Sequence, residues 1–449
     1  MKLDEYLNTV TEQIRCIKAR EMVGEELRDH VLDQAEAYEA EGMFEEEALE
    51  KAIQDMGDPV ETGTSLDRIH RPQISVEVLV MIGIISLASI ALHAVLAAYT
   101  SDTSGAGYGY LSSHILYTLM GYALMFAIYR MDYSILAGYA KQAAAVFLIL
   151  VLLGFHFAGV YINGARLYIR LGSFFAFMPV MMLLYVPLFG GILYSYRGER
   201  YKGLGKILLW ALVPVWITFR IPAFSQGVVL WGTLLCLTAI AVKRGWYQVR
   251  KAPALTMLGV LFAAPPLCFL GMGILGRLTS YQMMRIQAFL TGADDQNYLT
   301  VQMKGILSGS RLMGGSTENI ARIVELPGYN NDYIFVCLIS AYGLLAGILA
   351  AALMFYLVVK IFRISFCQKN ELGMILGSGC GIVFLLQMGI SIGMNVGLLP
   401  PTAALLPFFS SGGSGIVVSY MLLGLVLSVY RYKNILPARP SGRVARSAS

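Results

Sequence analysis

Charge is what this chain has least of. Only 14% of its 449 residues are Asp, Glu, Lys or Arg, against about 25% in an ordinary soluble domain, which excludes a large soluble enzyme. Hydrophobic residues make up 57% and the mean hydropathy is +0.62, which excludes disorder, collagen and coiled coil. The six cysteines, Cys16, Cys236, Cys268, Cys337, Cys367 and Cys380, form no C-x-x-C pair. Most fall in apolar runs, where a free Cys behaves as a small hydrophobe, so neither disulfides nor zinc are expected. H-E-x-x-H and G-x-S-x-G are absent, and Gly198 to Gly203 has P-loop spacing with Leu204 in place of the required Lys. His93, His114 and His156 stand singly in apolar runs, where a His serves to hydrogen-bond packed helices. The acidic, polar N-terminus is not a cleavable signal peptide.

What the chain does have is apolar length. Runs near 75–99, 109–129, 137–157, 173–196, 207–219, 224–242, 254–274, 333–361, 372–394 and 411–430 approach or exceed the roughly 20 residues that cross a bilayer. The run 207–219 is short, with Pro222 close behind, and reads as a broken or tilted span. The fold class expected is an all-α polytopic membrane protein of about ten helices. Basic residues crowd alternate loops: Arg197, Arg200, Lys202 and Lys206; then Lys243, Arg244, Arg250 and Lys251; then Lys360, Arg363 and Lys369. Loops 100–108 and 395–410 contain neither Lys nor Arg. The positive-inside rule then puts both termini in the cytoplasm and the long loop 275–332 outside. Basic residues confined to short loops do not point to nucleic acid.

The charge that exists is unevenly divided. Residues 1–72 hold 8 Lys and Arg against 19 Asp and Glu, a net of −11, and the remainder holds 26 against 10, a net of +16. Such a split argues for two modules: an acidic prefix at 1–72, a membrane domain at 73–435 and a basic cytoplasmic tail at 436–449. Three amphipathic helices are expected over 1–57. Their apolar sets are Leu3, Leu7, Val10, Ile14 and Ile17; Met22, Leu27, Val31, Leu32 and Ala35; and Met43, Phe44, Ala48, Ala52 and Ile53. Gly57-Asp58-Pro59 ends the third. The prefix suits either a solvated acidic spacer or a docking module.

Three polar clusters face the outer side. The first runs from Asn163-Gly164-Ala165-Arg166 to Arg170-Leu171-Gly172. The second is the long loop, with Arg285, Asp294, Asp295, Gln302, Lys304, Arg311, Glu325 and Asp332. The third runs from Asn395 to Pro400 and on through Phe408-Phe409-Ser410-Ser411-Gly412-Gly413-Ser414. Gly-rich backbone at this depth lines a cavity or is buried in protein. Cations suit a phosphate or pyrophosphate, and a carboxylate suits a general base toward a hydroxyl. Asp332 directly precedes the apolar run Tyr333-Ile334-Phe335-Val336, a position that by itself favours a helix N-cap over a catalytic role.

These segments resemble the SEDS family (shape, elongation, division and sporulation), which contains RodA, FtsW and SpoVE. Gly164-Ala165-Arg166 with Leu171-Gly172 is similar to its G-A-x-x-W-x-x-L-G loop, with Tyr168 where Trp is usual. Tyr281-Gln282, Arg285-Ile286 and Phe289-Leu290 resemble its entry to the large loop. Pro327 to Phe335 resembles P-x-x-x-T-D-F-I-F, and Ile390 to Thr402 resembles N-I-G-M-x-x-G-L-L-P-V-T-G. Leu406-Pro407-Phe408 and Gly412-Gly413-Ser414 continue that signature. The resemblance covers about residues 73–435.

It implies a peptidoglycan glycosyltransferase of the bacterial cytoplasmic membrane. Such a protein polymerises lipid II, a disaccharide-pentapeptide on undecaprenyl pyrophosphate, beside a class B penicillin-binding protein. Asp332 aligns with the family's essential Asp, the implied general base. Arg166, Arg285 and Lys304 would hold pyrophosphate, and Gln302, Asn395 and Ser411 complete the candidate substrate-binding set. A divalent cation is left open. The chain departs from the family where Met178-Pro179-Val180-Met181 replaces Q-P-S-E and where Pro222-Ala223-Phe224-Ser225-Gln226 lacks the Asp of P-D-L-G-T. Those losses keep two other readings in play: a scaffold or regulator of a cell-wall synthase, and a transporter of a lipid-linked precursor.

Overall fold

The computed structural model describes residues 2–104, 107–162, 165–172, 174–221, 223–276 and 298–433. The chain divides into two compact units. The first is built on residues Met1–Ile74 and holds four helices: α1 (Leu3–Glu12), α2 (Ile17–Ala40), α3 (Glu45–Asp55) and α4 (Pro59–His70). The expected apolar sets supply most of its core, through Leu7, Val10, Val31, Ala35, Ala52 and Ile53, joined by Tyr6, which was in none of them, while Leu32 of the second set is exposed. Ile17 and Phe44 do not join it; they sit at or just before the starts of α2 and α3 and are 74% and 79% exposed. The fourth helix was not expected, because Gly57-Asp58-Pro59 reads as a stop. It is also a start: the Asp58 carboxylate accepts from the amides of Val60 and Glu61, both at 2.9 Å, and Pro59 occupies the first helical position, where no N–H is needed.

The second unit is an all-α polytopic membrane domain. Its helices are α5 (Val76–Ser104), α6 (Gly107–Arg130), α7 (Ile135–Ala158), α8 (Met178–Met181), α9 (Tyr185–Ser195), α10 (Tyr201–Phe219), α11 (Phe224–Lys243) and α12 (Lys251–Ile274). After the long loop come α13 (Tyr298–Ser308), α14 (Thr317–Val324), α15 (Ile334–Tyr342), α16 (Leu344–Phe366), α17 (Glu371–Asn395) and α18 (Gly413–Arg431). Among the described residues nine helical stretches are long and apolar enough to cross a membrane; α8 and α9 join as one of them, and α12 adds the shorter apolar stretch Lys251–Pro265. The expected short span at 207–219 is instead a full helix from Tyr201, since Lys202 and Lys206 lie inside its first turns.

Helices α11, α17 and α18 form the centre, with 78%, 72% and 78% of their apolar windows buried, against 22–28% for α6, α7 and α16. Small residues explain the central place of α17. A Cβ at Gly377 would run into Ser365 Oγ of α16, and one at Gly381 would lie 3.1 Å from the Phe362 ring. Gly at four-residue spacing lets helix backbones approach closely, which drives packing where no hydrophobic force acts between helices.

Two apolar runs are not continuous helices. The run expected over 173–196 begins with a strand. Residues β1 (Gly159–Ile162), β2 (Ala165–Leu171) and β3 (Phe174–Phe177) form an antiparallel sheet in the order β1-β2-β3. Tyr168 pairs with Val160 on one side and Phe177 on the other. The run 333–361 breaks at Gly343, whose φ of 94° an L side chain rarely adopts. There the chain pairs with 311–316: Gly314 N donates to Tyr342 O at 3.1 Å and Ser316 N to Ser340 O at 3.0 Å. Asp332 therefore precedes a short buried helix, α15, rather than a membrane span.

Candidate functional site

The segment Pro327–Asp332 makes a tight turn. Gly328 has φ 78°, and its carbonyl accepts from Asn331 N at 3.0 Å and Asp332 N at 2.9 Å. The turn ends on Asp332, half-buried. The N-cap position of α15 belongs to Tyr333, not to Asp332. Asn395, at the end of α17, fixes the backbone here. Its Nδ2 donates to Asp332 O at 2.9 Å and to Ser391 O at 2.8 Å. Its Oδ1 accepts from Val336 N at 3.2 Å. The loop 401–412 grips the same turn: Ser410 Oγ donates to Asn331 O at 2.6 Å, and Ser411 N donates to Asn330 O at 3.0 Å.

Asp332 opens onto a cavity of about 550 Å³, within the usual size range of a ligand site. Its walls are Tyr110, Ser113 and Tyr117 of α6, Tyr168 of β2, the 327–332 turn, and Ser411 with Gly412. Gly413 has to be small, because a Cβ there would lie 2.6 Å from the Tyr117 ring. Burial first, and then the charge of Asp332, push the Tyr168 phenol above its ordinary pKa. The pocket thus presents one carboxylate among neutral hydroxyls and amides. Such a group can accept a proton from a sugar hydroxyl within hydrogen-bond reach.

The sequence candidates divide on placement. Asp332 and Ser411 line the cavity. Asn395 does not reach it; it is fully buried beneath the turn, with both ends of its amide engaged by backbone. Arg166 is not among the lining residues either. Its guanidinium lies 5.0 Å from the Tyr161 ring centroid and 5.8 Å from that of Phe155, and Nη1 donates to Phe155 O at 3.5 Å. Cation–π attraction holds it there. Lys304 is exposed on α13 with its stem across Gly397, where a Cβ would meet Cε at 2.8 Å. Gln302 is half-buried on the same helix. Arg285, Asp294 and Asp295, and the tail 436–449, lie outside the described residues. No described lining residue is Lys or Arg. No group of three or more His, Cys, Asp or Glu that could hold a metal occurs among the described residues.

Sequence reasoning missed the tyrosines and the histidine pair. Tyr110 and Tyr117 fall within an apolar run, and no periodic signal separates a cavity-facing ring from a lipid-facing one. His93 and His114, single in sequence, have ring centroids 3.9 Å apart. At the departures from the family pattern, Ala223 is buried, and its neighbours Ser225 and Gln226 donate to Ala403 O at 2.5 and 3.5 Å.

Residues 74–435 match the family of FtsW, RodA and SpoVE, described as "Cell cycle protein". A probable peptidoglycan glycosyltransferase FtsW of Synechocystis sp. is 27% identical over 371 residues, 80% of this chain and 89% of that one. Stage V sporulation protein E of Bacillus subtilis is 27% identical over 369 residues, 79% of this chain and 94% of that one. Among solved structures, a chain of a peptidoglycan synthase complex aligns with TM-score 0.64 at 20% identity, covering 80% of this chain and 98% of that chain. The rod shape determining protein RodA of Thermus thermophilus aligns with TM-score 0.57 at 18% identity, covering 80% and 97%. The structural likeness shows the fold, and the match over most of the membrane domain shows the lineage: the chain belongs to the FtsW/RodA/SpoVE family.

Proposed function

We propose that this protein is a peptidoglycan glycosyltransferase that polymerises lipid II at the outer face of the bacterial cytoplasmic membrane, with Asp332 as general base. An acceptor sugar hydroxyl attacks the anomeric carbon of the donor. The new glycosidic C–O bond forms as the C–O bond to pyrophosphate breaks. The hydroxyl proton passes to the Asp332 carboxylate, and undecaprenyl pyrophosphate leaves with the bonding pair. Ser411 meets the sugar at the cavity wall, and Asn395 holds the Asp332 backbone. Arg166, Arg285 and Lys304 hold the pyrophosphate, and Gln302 contacts the substrate. The termini are cytoplasmic, a reading the alternating basic loops support, and a class B penicillin-binding protein is the partner.

The observation that carries this reading is a half-buried carboxylate, fixed by Asn395 and the 401–412 loop, on a cavity of about 550 Å³ walled by tyrosines and amides. The test is lipid II polymerisation in reconstituted membranes. Wild type makes glycan strands and Asp332→Asn, equally well folded, makes them at least about 10²-fold more slowly; equal polymer from both would remove Asp332 from the mechanism.

One observation favours a second reading, a non-enzymatic scaffold for a synthase. The described wall carries no cation, and family polar positions are taken by Met181 and Ala223. On that reading the purified wild type, even with its transpeptidase, forms a stable complex and yields no polymer.

A further inference from the structure

We propose that His93 is a positioning residue for the wall of the Asp332 cavity, acting through the carbonyl of Phe409. Its turnover arm rests on the glycosyltransferase reading above; its structural arm does not. His93 and Ser89 lie on α5 and His114 on α6, and each is at most 3% exposed. His93 Nε2 donates to Phe409 O at 2.9 Å. Ser89 Oγ bonds His114 Nε2 at 3.0 Å and reaches the same carbonyl at 3.5 Å. Because a carbonyl can only accept, the His93 proton sits on Nε2.

The carbonyl so held lies two residues before Ser411 of the cavity wall. Phe408, just before it, has φ 65°, a left-handed conformation that a bulky residue keeps only when its surroundings impose it. Its ring is wedged against Phe384 and Tyr420, at centroid distances of 5.4 and 5.2 Å. Just after it, Ser410 accepts from Leu406 N at 2.8 Å and donates to Asn331 O at 2.6 Å. Ser411 N then binds Asn330 O at 3.0 Å. Three bonds thus connect a buried imidazole to the two residues before Asp332. A purely apolar α5–α6 contact would leave the Phe409 carbonyl short of a partner, and buried polar groups are retained where they are satisfied. Among the described residues His114 Nδ1 has no hydrogen-bond partner, so the polar contact of the pair to the loop runs through His93 Nε2 and Ser89. The imidazole is arranged around the loop.

The experiment compares full-length wild type, His93→Leu and His93→Gln. Gln keeps a side-chain N–H at the reach of Nε2, and Leu does not. Two readouts are taken: kcat and KM for lipid II polymerisation, and amide hydrogen exchange of 403–412 against α5 and α6. For His93→Leu, kcat falls about tenfold or more with KM within about twofold, as expected of a misplaced catalytic wall. Exchange rises in 403–412 and stays at the wild-type level in the two helices. His93→Gln recovers turnover and exchange to within about threefold of wild type. Wild-type turnover and exchange in His93→Leu would overturn the proposal. So would protection lost equally along α5 and α6, or Gln as impaired as Leu. If wild type itself makes no polymer, the glycosyltransferase reading fails. The exchange pattern then decides the positioning role by itself.

Discussion

Asn395 Nδ2 donates to the backbone carbonyl of Asp332 over 2.9 Å, joining positions 63 residues apart. The same side chain accepts from Val336 N at 3.2 Å, so one buried amide spans the start of α15 and sets where the Asp332 carboxylate projects. The backbone that carries Asp332 is thus held by a buried side chain distant in sequence, and Asn331 Nδ2 lies 3.4 Å from the carboxylate itself.

Replacing Asn395 by Leu leaves the Asp332 carbonyl and the Val336 amide short of partners in a buried site. The expected loss is about 2–3 kcal/mol of stability, together with a fall in turnover larger than the fall seen for exposed controls such as Gly305→Ala on α13. Thermal unfolding in detergent and polymerisation rate check this. A variant with the wild-type midpoint and rate would remove Asn395 from its role.

Asp332→Asn keeps size and hydrogen bonding but cannot take a proton. Polymerisation falls by about 10² to 10⁴, the usual contribution of a general base, with the thermal midpoint unchanged. Wild-type rates in that variant count against base catalysis at this position.

Tyr168 carries the pH prediction. Its pKa is raised by burial and then by Asp332, so the folded protein holds this proton more tightly than the unfolded chain. The unfolded value is about 10. The contribution to stability is full below that pH and is lost as pH rises through the folded value. Tyr168→Phe removes this loss, and its unfolding midpoint falls less steeply than wild type above about pH 10. Parallel curves would show that the phenol is not perturbed.

In the membrane domain, Gly424 of α18 faces α6 so closely that a Cβ would lie 2.6 Å from Met125 O. Gly424→Leu forces the helices apart, at a cost of about 3 kcal/mol, and the folded yield in membranes drops. Wild-type yield and melting would mean the two helices separate freely.

In the first unit, Asp58→Ala removes the cap of α4. The expected change is about 1 kcal/mol, read as faster amide exchange over residues 60–62 in the full chain. Unchanged exchange there would show that the helix needs no cap.

The architecture was largely legible because a bilayer imposes a local rule. A helix must be long and apolar to cross it, and both properties are visible in a window of about 20 residues. The motif around Asp332 and the run from Ile390 to Ser414 likewise marked the site. The β1–β3 sheet had its own signal, Asn163-Gly164 between segments rich in β-branched and aromatic residues, a hairpin pattern. Only its third strand, Phe174–Phe177, lies within the apolar run 173–196, where apolarity alone does not separate a strand from a helix. Asp58-Pro59 showed the same ambiguity, since the residues that stop one helix cap the next.

By itself, then, the sequence determined an all-α membrane domain, an acidic helical prefix and one acid at the head of an apolar segment. Only the tertiary structure decided that the segment breaks at Gly343, that Arg166 rests on Phe155 and Tyr161 while Tyr168 faces Asp332, and that His93 and His114 meet behind Phe409. The physical reason is range. Helix length and apolarity are set by neighbours a few positions away. Which polar group meets which is set by close packing of helices far apart in the chain, and no local period encodes that.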